Sequence, residues 1–405
     1  MLTVLRQRDF SLLWFGGVLS VIGDYFLFVA LPFFVYERTG SALATGAMFI
    51  AQTLPRLLFG SVAGVFVDRW DRKHTMVLSD LSRALILLPL LAVAAGGPLV
   101  LVFAVAFVEA TVSMFFLPAK SATIPNLVAE EDLTAANSLD SLSEEVPSLV
   151  GALLGGALLG IVGLSGLVLL DIGTYLASAL LISLIRAPTA APDEETEITP
   201  EVAVSAWANA LKDWLGGLRL IGRERSVALL FATMSVATVG EGAVTVLVII
   251  FFRDVLGGSA QEFSYFIAAY GVGGILGGLL LTWVSRIIDE TRLFSLCLIA
   301  NGILLLAIFN TPVLSVIVAL AVLAGMTVVG WFVMSQTLLQ KWVADRYRGR
   351  VFGAYETTQA LTILVGMGLA VVLEGSLGVV VVLSIVGVVW SLAGLFAWSM
   401  LPHGK

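Results

Sequence analysis

The sequence predicts an all-α membrane protein, with twelve transmembrane helices in two pseudo-symmetric six-helix bundles. Three observations carry that prediction. Of 405 residues, 59% are hydrophobic and only 13% charged, where a soluble chain would hold roughly 25% charged residues. Twelve apolar segments reach the roughly 20 residues needed to cross a hydrocarbon core about 30 Å thick. One long polar connection then divides these segments six and six.

The first half holds spans at 11–36, 42–67, 75–95, 98–118, 137–162 and 164–186. The second holds 226–252, 262–285, 292–310, 312–338, 351–374 and 376–401. Short turn-forming breaks separate them, among them AAGGP (94–98), GLSG (163–166) and FNTP (309–312). The domains are therefore 1–186, a linker at 187–225, and 226–405. The linker opens with the acidic, Pro-rich APTAAPDEETEITP. A helix is expected after it, with Thr199 as N-cap, Pro200 at the first position and Glu201 in the first turn. Val204, Trp207, Leu211, Trp214 and Leu218 recur at three- and four-residue steps, a stripe suited to the membrane interface.

Charge placement sets the orientation. Of the 22 Lys and Arg residues, only Arg38 and Arg253 fall in outer loops and Arg56 and Arg83 within spans, if the N-terminus is internal. The positive-inside bias then puts both termini in the cytoplasm of a bacterial-type plasma membrane. No short cleavable signal precedes the first span. The halves also look duplicated. Residues 126–151 align with 341–366 without a gap, at a constant offset of 215, with VAE over VAD and LVG in register.

Residues 64–73, GVFVDRWDRK, interrupt this oil with a knot of charge between spans 2 and 3. The pattern G-x-x-x-D-R-x-x-R-K, formed by Gly64, Asp68, Arg69, Arg72 and Lys73, resembles the signature of the major facilitator superfamily. PAKSATIPNLVAEEDLTAANSL after span 4 and RGRVFG before span 11 are similar to its macrolide-efflux and enterobactin-exporter branch. The resemblance implies twelve helices around a central cavity lined by spans 1, 4, 7 and 10. It implies alternating-access export of a small amphipathic, drug-like compound. It also implies that the loop is a cytoplasmic gate latch, in which Asp68 meets the inner end of span 11. A carboxylate near a helix N-terminus is stabilised by roughly 0.3–1 kcal/mol, little enough to break in every cycle. The chain departs from the pattern in three places. Asp71 stands where Gly is usual, Ala152 replaces the Pro of the antiporter motif in GALLGG (151–156), and span 4 carries Glu109 rather than an Arg.

Ionisable groups in the spans need a reason, since each costs about 2.5–3.5 kcal/mol at the bilayer centre. Asp24, Glu109 and Glu241 fall on three of the four cavity helices of the resembled fold and are the candidates for proton coupling or cargo binding. Asp24 and Arg56 lie at similar depths, about 22 Å above Asp9 and about 18 Å above Asp68, so they are expected to form a buried ion pair. For Glu241 the bland alternative is a carboxyl satisfied by a hydroxyl such as Thr245. Asp80, Arg83 and Asp171 lie on spans expected to be peripheral and read as structural pairs. Arg83, Glu145, Arg350 and Glu356 are secondary candidates; of the adjacent Glu144 and Glu145, at most one faces a cavity. The excess of acids over Arg56 and Arg83 favours cationic or zwitterionic cargo, with an endogenous siderophore or a lysophospholipid as the alternatives.

Other classes find little support. There is no G-x-x-x-x-G-K-[ST] for nucleotide hydrolysis, and GVGGILGG (271–278) has the spacing of helix-packing glycines. His74, His403 and Cys297 are too few and too scattered for a metal centre, and no nucleophile–base set suggests an enzyme. No cofactor and no nucleic-acid partner are expected. A non-transporting sensor would not need acids on three cavity helices. The partners expected are a small-molecule cargo, protons and the bilayer, with the chain a monomer.

Overall fold

The computed structural model describes residues 4–67, 69–187, 211–212 and 214–402. The side chains at 61, 62, 64, 65, 145, 146, 148, 149, 152, 153 and 345 lie outside that description. All regular structure among the described residues is helical. Eleven helices are long and apolar enough to cross a membrane, counted by length and composition over those residues.

The first half contains α1 (Arg8–Thr39), α2 (Ala42–Val67), α3 (Arg72–Leu87), α4 (Pro89–Ala94), α5 (Val100–Leu127) and α6 (Leu133–Ser183). The third span is α3 and α4 together, interrupted at Pro89, which has no N–H to continue the helical ladder. The 51 residues of α6 would reach about 77 Å if straight, more than two hydrocarbon thicknesses. The chain breaks at Gly163, with φ 66° and ψ −178°, a conformation that costs glycine no steric penalty. The expected spans 137–162 and 164–186 are the two limbs on either side of that glycine.

The second half contains α7 (Arg225–Ile250), α8 (Ala260–Val284), α9 (Glu290–Phe309), α10 (Leu314–Trp342), α11 (Asp345–Leu377) and α12 (Val379–Met400). A π turn, Phe251–Val255, prolongs α7, and Ser259 opens α8 with a capping box closed by Glu262.

The chain forms two compact units. Unit 1 comprises Met1–Thr39 and Ala47–Ala208; unit 2 comprises Gly40–Gly46 and Asn209–Lys405. In unit 1, α6 packs on α1 and α3, and α3 also packs on α5. In unit 2, α7 packs on α11 and α12, α9 on α10 and α12, and α8 on α10. Backbones approach closely where glycine omits a side chain. A Cβ on Gly151 of α6 would lie 2.6 Å from the Ile22 carbonyl of α1, and one on Gly366 of α11 would lie 1.9 Å from the Val239 carbonyl of α7.

The N-cap and first turn expected for the linker helix (Thr199, Pro200, Glu201, Val204, Trp207) lie outside the described residues. Its last turns are helical and pack within unit 2. Trp214 donates its indole N–H to the Thr358 hydroxyl at 3.0 Å, and Gly217 sits against the Arg350 carbonyl and Ala354 of α11. Leu211 stays exposed. Part of the stripe therefore serves α11, where an interfacial role alone was expected.

Candidate functional site

Four helices of unit 1 bring polar side chains to one place inside the apolar bundle. Helical spacing stacks them: Ser20 and Asp24 are four apart on α1, Asp80 and Arg83 three apart on α3, and Asp171, Tyr175 and Ser178 follow at steps of four and three on α6. Glu109 comes from α5.

Arg83 is the hub, with its side chain 1% exposed. Its Nη2 donates to Asp80 Oδ1 at 2.5 Å and to the Ser20 hydroxyl at 2.9 Å. Its Nη1 lies 3.3 Å from both carboxylate oxygens of Asp24 and 3.8 Å from Glu109 Oε1. The guanidinium stacks over the Tyr175 ring at 4.3 Å and approaches the Phe116 ring at 5.2 Å. One cation thus serves three carboxylates within 4 Å. Asp80 is fully buried, and its Oδ2 has no hydrogen-bond partner among the described residues.

The Tyr175 hydroxyl completes the cluster, 2.5 Å from Asp24 Oδ1 and 3.0 Å from Glu109 Oε1. Asp171, one turn earlier on α6, accepts from the Thr174 hydroxyl at 3.0 Å. Gly23 makes room for it, since a Cβ there would stand 2.1 Å from Asp171 Oδ1 and 2.2 Å from Thr174 Oγ1.

A second buried cation lies towards the other end of α5. Lys120, 2% exposed, donates to the Ser143 hydroxyl at 2.8 Å and pairs with Asp140 at 2.7 Å and Glu144 at 3.6 Å. The close passage of its side chain uses Gly17, whose Cβ would lie 3.0 Å from Lys120 Cε.

These contacts correct one expectation and extend another. Asp24 meets Arg83, whereas the expected partner Arg56 is exposed on α2 with no ion pair among the described residues. Matching depth was a necessary condition for pairing, but it could not say which faces meet. The structural pair read for Asp80 and Arg83 forms, and Arg83 also reaches Asp24 and Glu109. Sequence reasoning missed Tyr175, Ser20 and the burial of Lys120. The available signal was polar residues stacked three or four apart within apolar spans.

Glu241 on α7 is exposed, and no ion pair to it is found among the described residues. The Thr245 hydroxyl donates to the Glu241 main-chain carbonyl at 2.9 Å, so the alternative of a carboxyl satisfied by that hydroxyl is not met. Arg350 and Glu356 are exposed on α11. The Glu145 side chain and Asp68 lie outside the described residues, and Gly64 falls within α2.

Three further charges of the knot make contacts inside unit 1. Asp71 is the N-cap of α3, accepting from the His74 main-chain N–H at 2.8 Å and pairing with its ring at 2.9 Å. This explains a carboxylate where the superfamily pattern has glycine. Arg72 donates to the Ala122 carbonyl of α5, and Lys73 to the Ile185 carbonyl just beyond α6, each at 2.7 Å. Cations on carbonyls near helix C-termini complement the local dipole. Arg69 is partly buried, and its Nη1 has no partner among the described residues.

Comparison with known proteins gives the family and the fold. Macrolide efflux protein A of Streptococcus pyogenes is 26% identical over 384 residues, covering 92% of this chain and 91% of that one. The multidrug efflux pump Tap of Mycolicibacterium fortuitum is 27% identical over 361 residues, covering 87% and 86%. The fold is similar to that of a mutant form of the nucleoside transporter NupG, with a TM-score of 0.74, 12% identity, and coverage of 97% of this chain and 100% of that one. A POT family transporter in complex with a thioalcohol-conjugated peptide gives a TM-score of 0.73 at 11% identity, covering 97% and 96%. The sequence profile described as transmembrane secretion effector matches residues 1–403, and the chain belongs to that family of major facilitator transporters.

Proposed function

We propose that this transporter exports small amphipathic cations or zwitterions by alternating access, in exchange for protons. The observation that carries the reading is the charge imbalance at Arg83, where one guanidinium lies within 4 Å of Asp24, Asp80 and Glu109 inside an apolar bundle. Three ionised carboxylates on one cation would leave net negative charge in a medium that solvates it poorly, so the cluster is suited to take up and release a proton. The efflux relatives support outward transport. The bias of Lys and Arg towards one side supports cytoplasmic termini.

Asp24 and Glu109 act in coupling. Glu241, an exposed acid without an ion pair among the described residues, is suited to meet the cationic group of the cargo. The knot at 64–73 acts as the cytoplasmic latch, with Asp71, Arg72 and Lys73 bracing it from within unit 1.

The test uses the purified protein in liposomes with tetraphenylphosphonium, a permanent lipophilic cation. An imposed pH gradient should drive its uphill movement, and collapsing the gradient with a protonophore should stop it. Movement that is indifferent to the gradient would refute proton exchange. Absence of counterflow for cationic, zwitterionic and neutral probes alike would refute drug-like cargo.

A further inference from the structure

Tyr175 presents a problem of hydrogen-bond accounting. Its hydroxyl has one proton to donate, yet it stands 2.5 Å from Asp24 Oδ1 and 3.0 Å from Glu109 Oε1. Two ionised carboxylates are acceptors only. If the phenol donates to one, its oxygen faces the other with two sets of lone pairs and nothing between them. Both contacts are satisfied only when one carboxyl carries a proton of its own and donates it to the phenol oxygen.

The surroundings decide which one. Arg83 Nη1 lies 3.3 Å from both oxygens of Asp24 but reaches Glu109 through a single 3.8 Å contact. Charge-assisted contacts are made to carboxylates, and Asp24 has the closer, two-oxygen share of this guanidinium. The same guanidinium holds Asp80 at 2.5 Å. The other titratable group packed nearby, Asp171, directs one oxygen to Thr174 and brings no cation. Among the described residues, Arg83 is the cation paired with Glu109, and the other charged groups of the cluster, Asp24, Asp80 and Asp171, are acidic.

We infer that the structure is the proton-loaded form of the transporter, with the proton on Glu109. It is donated to Tyr175, which in turn donates to the Asp24 carboxylate. This rests on the proton-exchange reading but goes further, since it selects one of three acids and gives Tyr175 a task. Tyr175 is a positioning residue that ties the protonation of Glu109 to the Asp24–Arg83 pair. When Glu109 gives its proton to water, two anions compete for one phenol proton. One carboxylate must then leave the hydroxyl, which strains the contact between α1, α5 and α6. The proton leaves as hydronium and is regained from the opposite side, so nothing else is consumed.

The experiment is infrared difference spectroscopy of the purified full chain between acidic and alkaline buffer, reading the carbonyl band of protonated carboxyl groups. A band should titrate in the natural protein, disappear in Glu109→Gln, persist in Asp24→Asn and return displaced in Glu109→Asp. In Tyr175→Phe it should move to higher wavenumber, because the carboxyl proton has lost its acceptor. That arm keeps Glu109 in place, so it remains informative if the Glu109 variants fold poorly. A band that survives Glu109→Gln and vanishes in Asp24→Asn would overturn the assignment. A band unmoved by Tyr175→Phe would remove the tyrosine from it. If the band behaves as expected while a pH gradient drives no export, proton exchange fails and the assignment of the proton stands.

Discussion

The two units solve the same packing problem with different chemistry. At the offset of 215 that aligns the halves, Lys120 and Asp140 fall on Ser335 and Tyr355. In unit 1 these positions hold a buried ion pair at 2.7 Å; in unit 2 they hold two hydroxyls at 3.2 Å. The same arithmetic sets Arg83 on Leu298, Asp80 on Ser295, Glu109 on Ala324, and Tyr175 on Trp390. Leu298 and Ala324 are buried and apolar, and Trp390 donates its indole N–H to the Ala237 carbonyl at 3.0 Å. Neutral contacts suffice to join such helices, so the charges of unit 1 are not required by the architecture. Charge that the fold does not need, kept at a cost of several kcal/mol per ion, points to function.

Single substitutions can break this comparison, and the largest effect belongs to Arg83. Arg83→Leu copies the residue of unit 2 but strands Asp80 and Asp24, a loss of about 3–5 kcal/mol for a buried pair broken on one side. The variant should yield little monodisperse protein. Arg83→Leu with Asp80→Leu should regain most of it, because the fully buried acid goes too. Additive losses in the double variant would deny the coupling.

Lys120→Met and Tyr355→Phe test the paired positions directly. The first should lower stability by about 3–5 kcal/mol, the second by only about 0.5–1.5 kcal/mol, the net worth of one hydrogen bond. Apparent unfolding midpoints in detergent would rank them. Equal effects would mean that the ion pair and the hydroxyl pair are interchangeable.

The glycine contacts sharpen the comparison at a smaller scale. Gly366→Ala drives a methyl to 1.9 Å from a main-chain carbonyl, whereas the matched Gly151→Ala meets one at 2.6 Å. Overpacking costs about 1–3 kcal/mol, and Gly366→Ala should lie at the upper end and Gly151→Ala at the lower. A reversed order in thermal unfolding would contradict the packing described for α1–α6 and α7–α11.

Much of this was legible in the sequence, for a physical reason. Hydrocarbon demands long apolar helices, so composition alone gave the spans, and the break at Gly163 was visible as a turn signal. Asp24 and Glu109 stood out because acids are costly in oil. What stayed hidden was direction around the helix axis. Depth allowed Arg56 as a partner for Asp24, whereas α3, packed against α5 and α6, brings Arg83 to it. Lys120 was counted as an inner-side cation that sets topology, although its neighbours Asp140 and Ser143 lie about twenty residues on, across a turn. Tyr175 escaped because a search for charges passes over a phenol. The charge knot was read as a latch, while its described contacts show that Asp71, Arg72 and Lys73 first cap and clamp the helices of their own unit.

The central claim, that unit 1 carries the coupling, is tested most directly by comparing Glu109→Gln with Glu241→Gln in liposomes loaded with tetraphenylphosphonium. Glu109→Gln should abolish uphill movement driven by a pH gradient while cargo-for-cargo exchange continues, since that half-cycle moves no net proton. Glu241→Gln should weaken apparent affinity for the cation and leave the gradient able to drive it. Uphill transport surviving in Glu109→Gln but lost in Glu241→Gln would place the coupling in unit 2 and contradict the account.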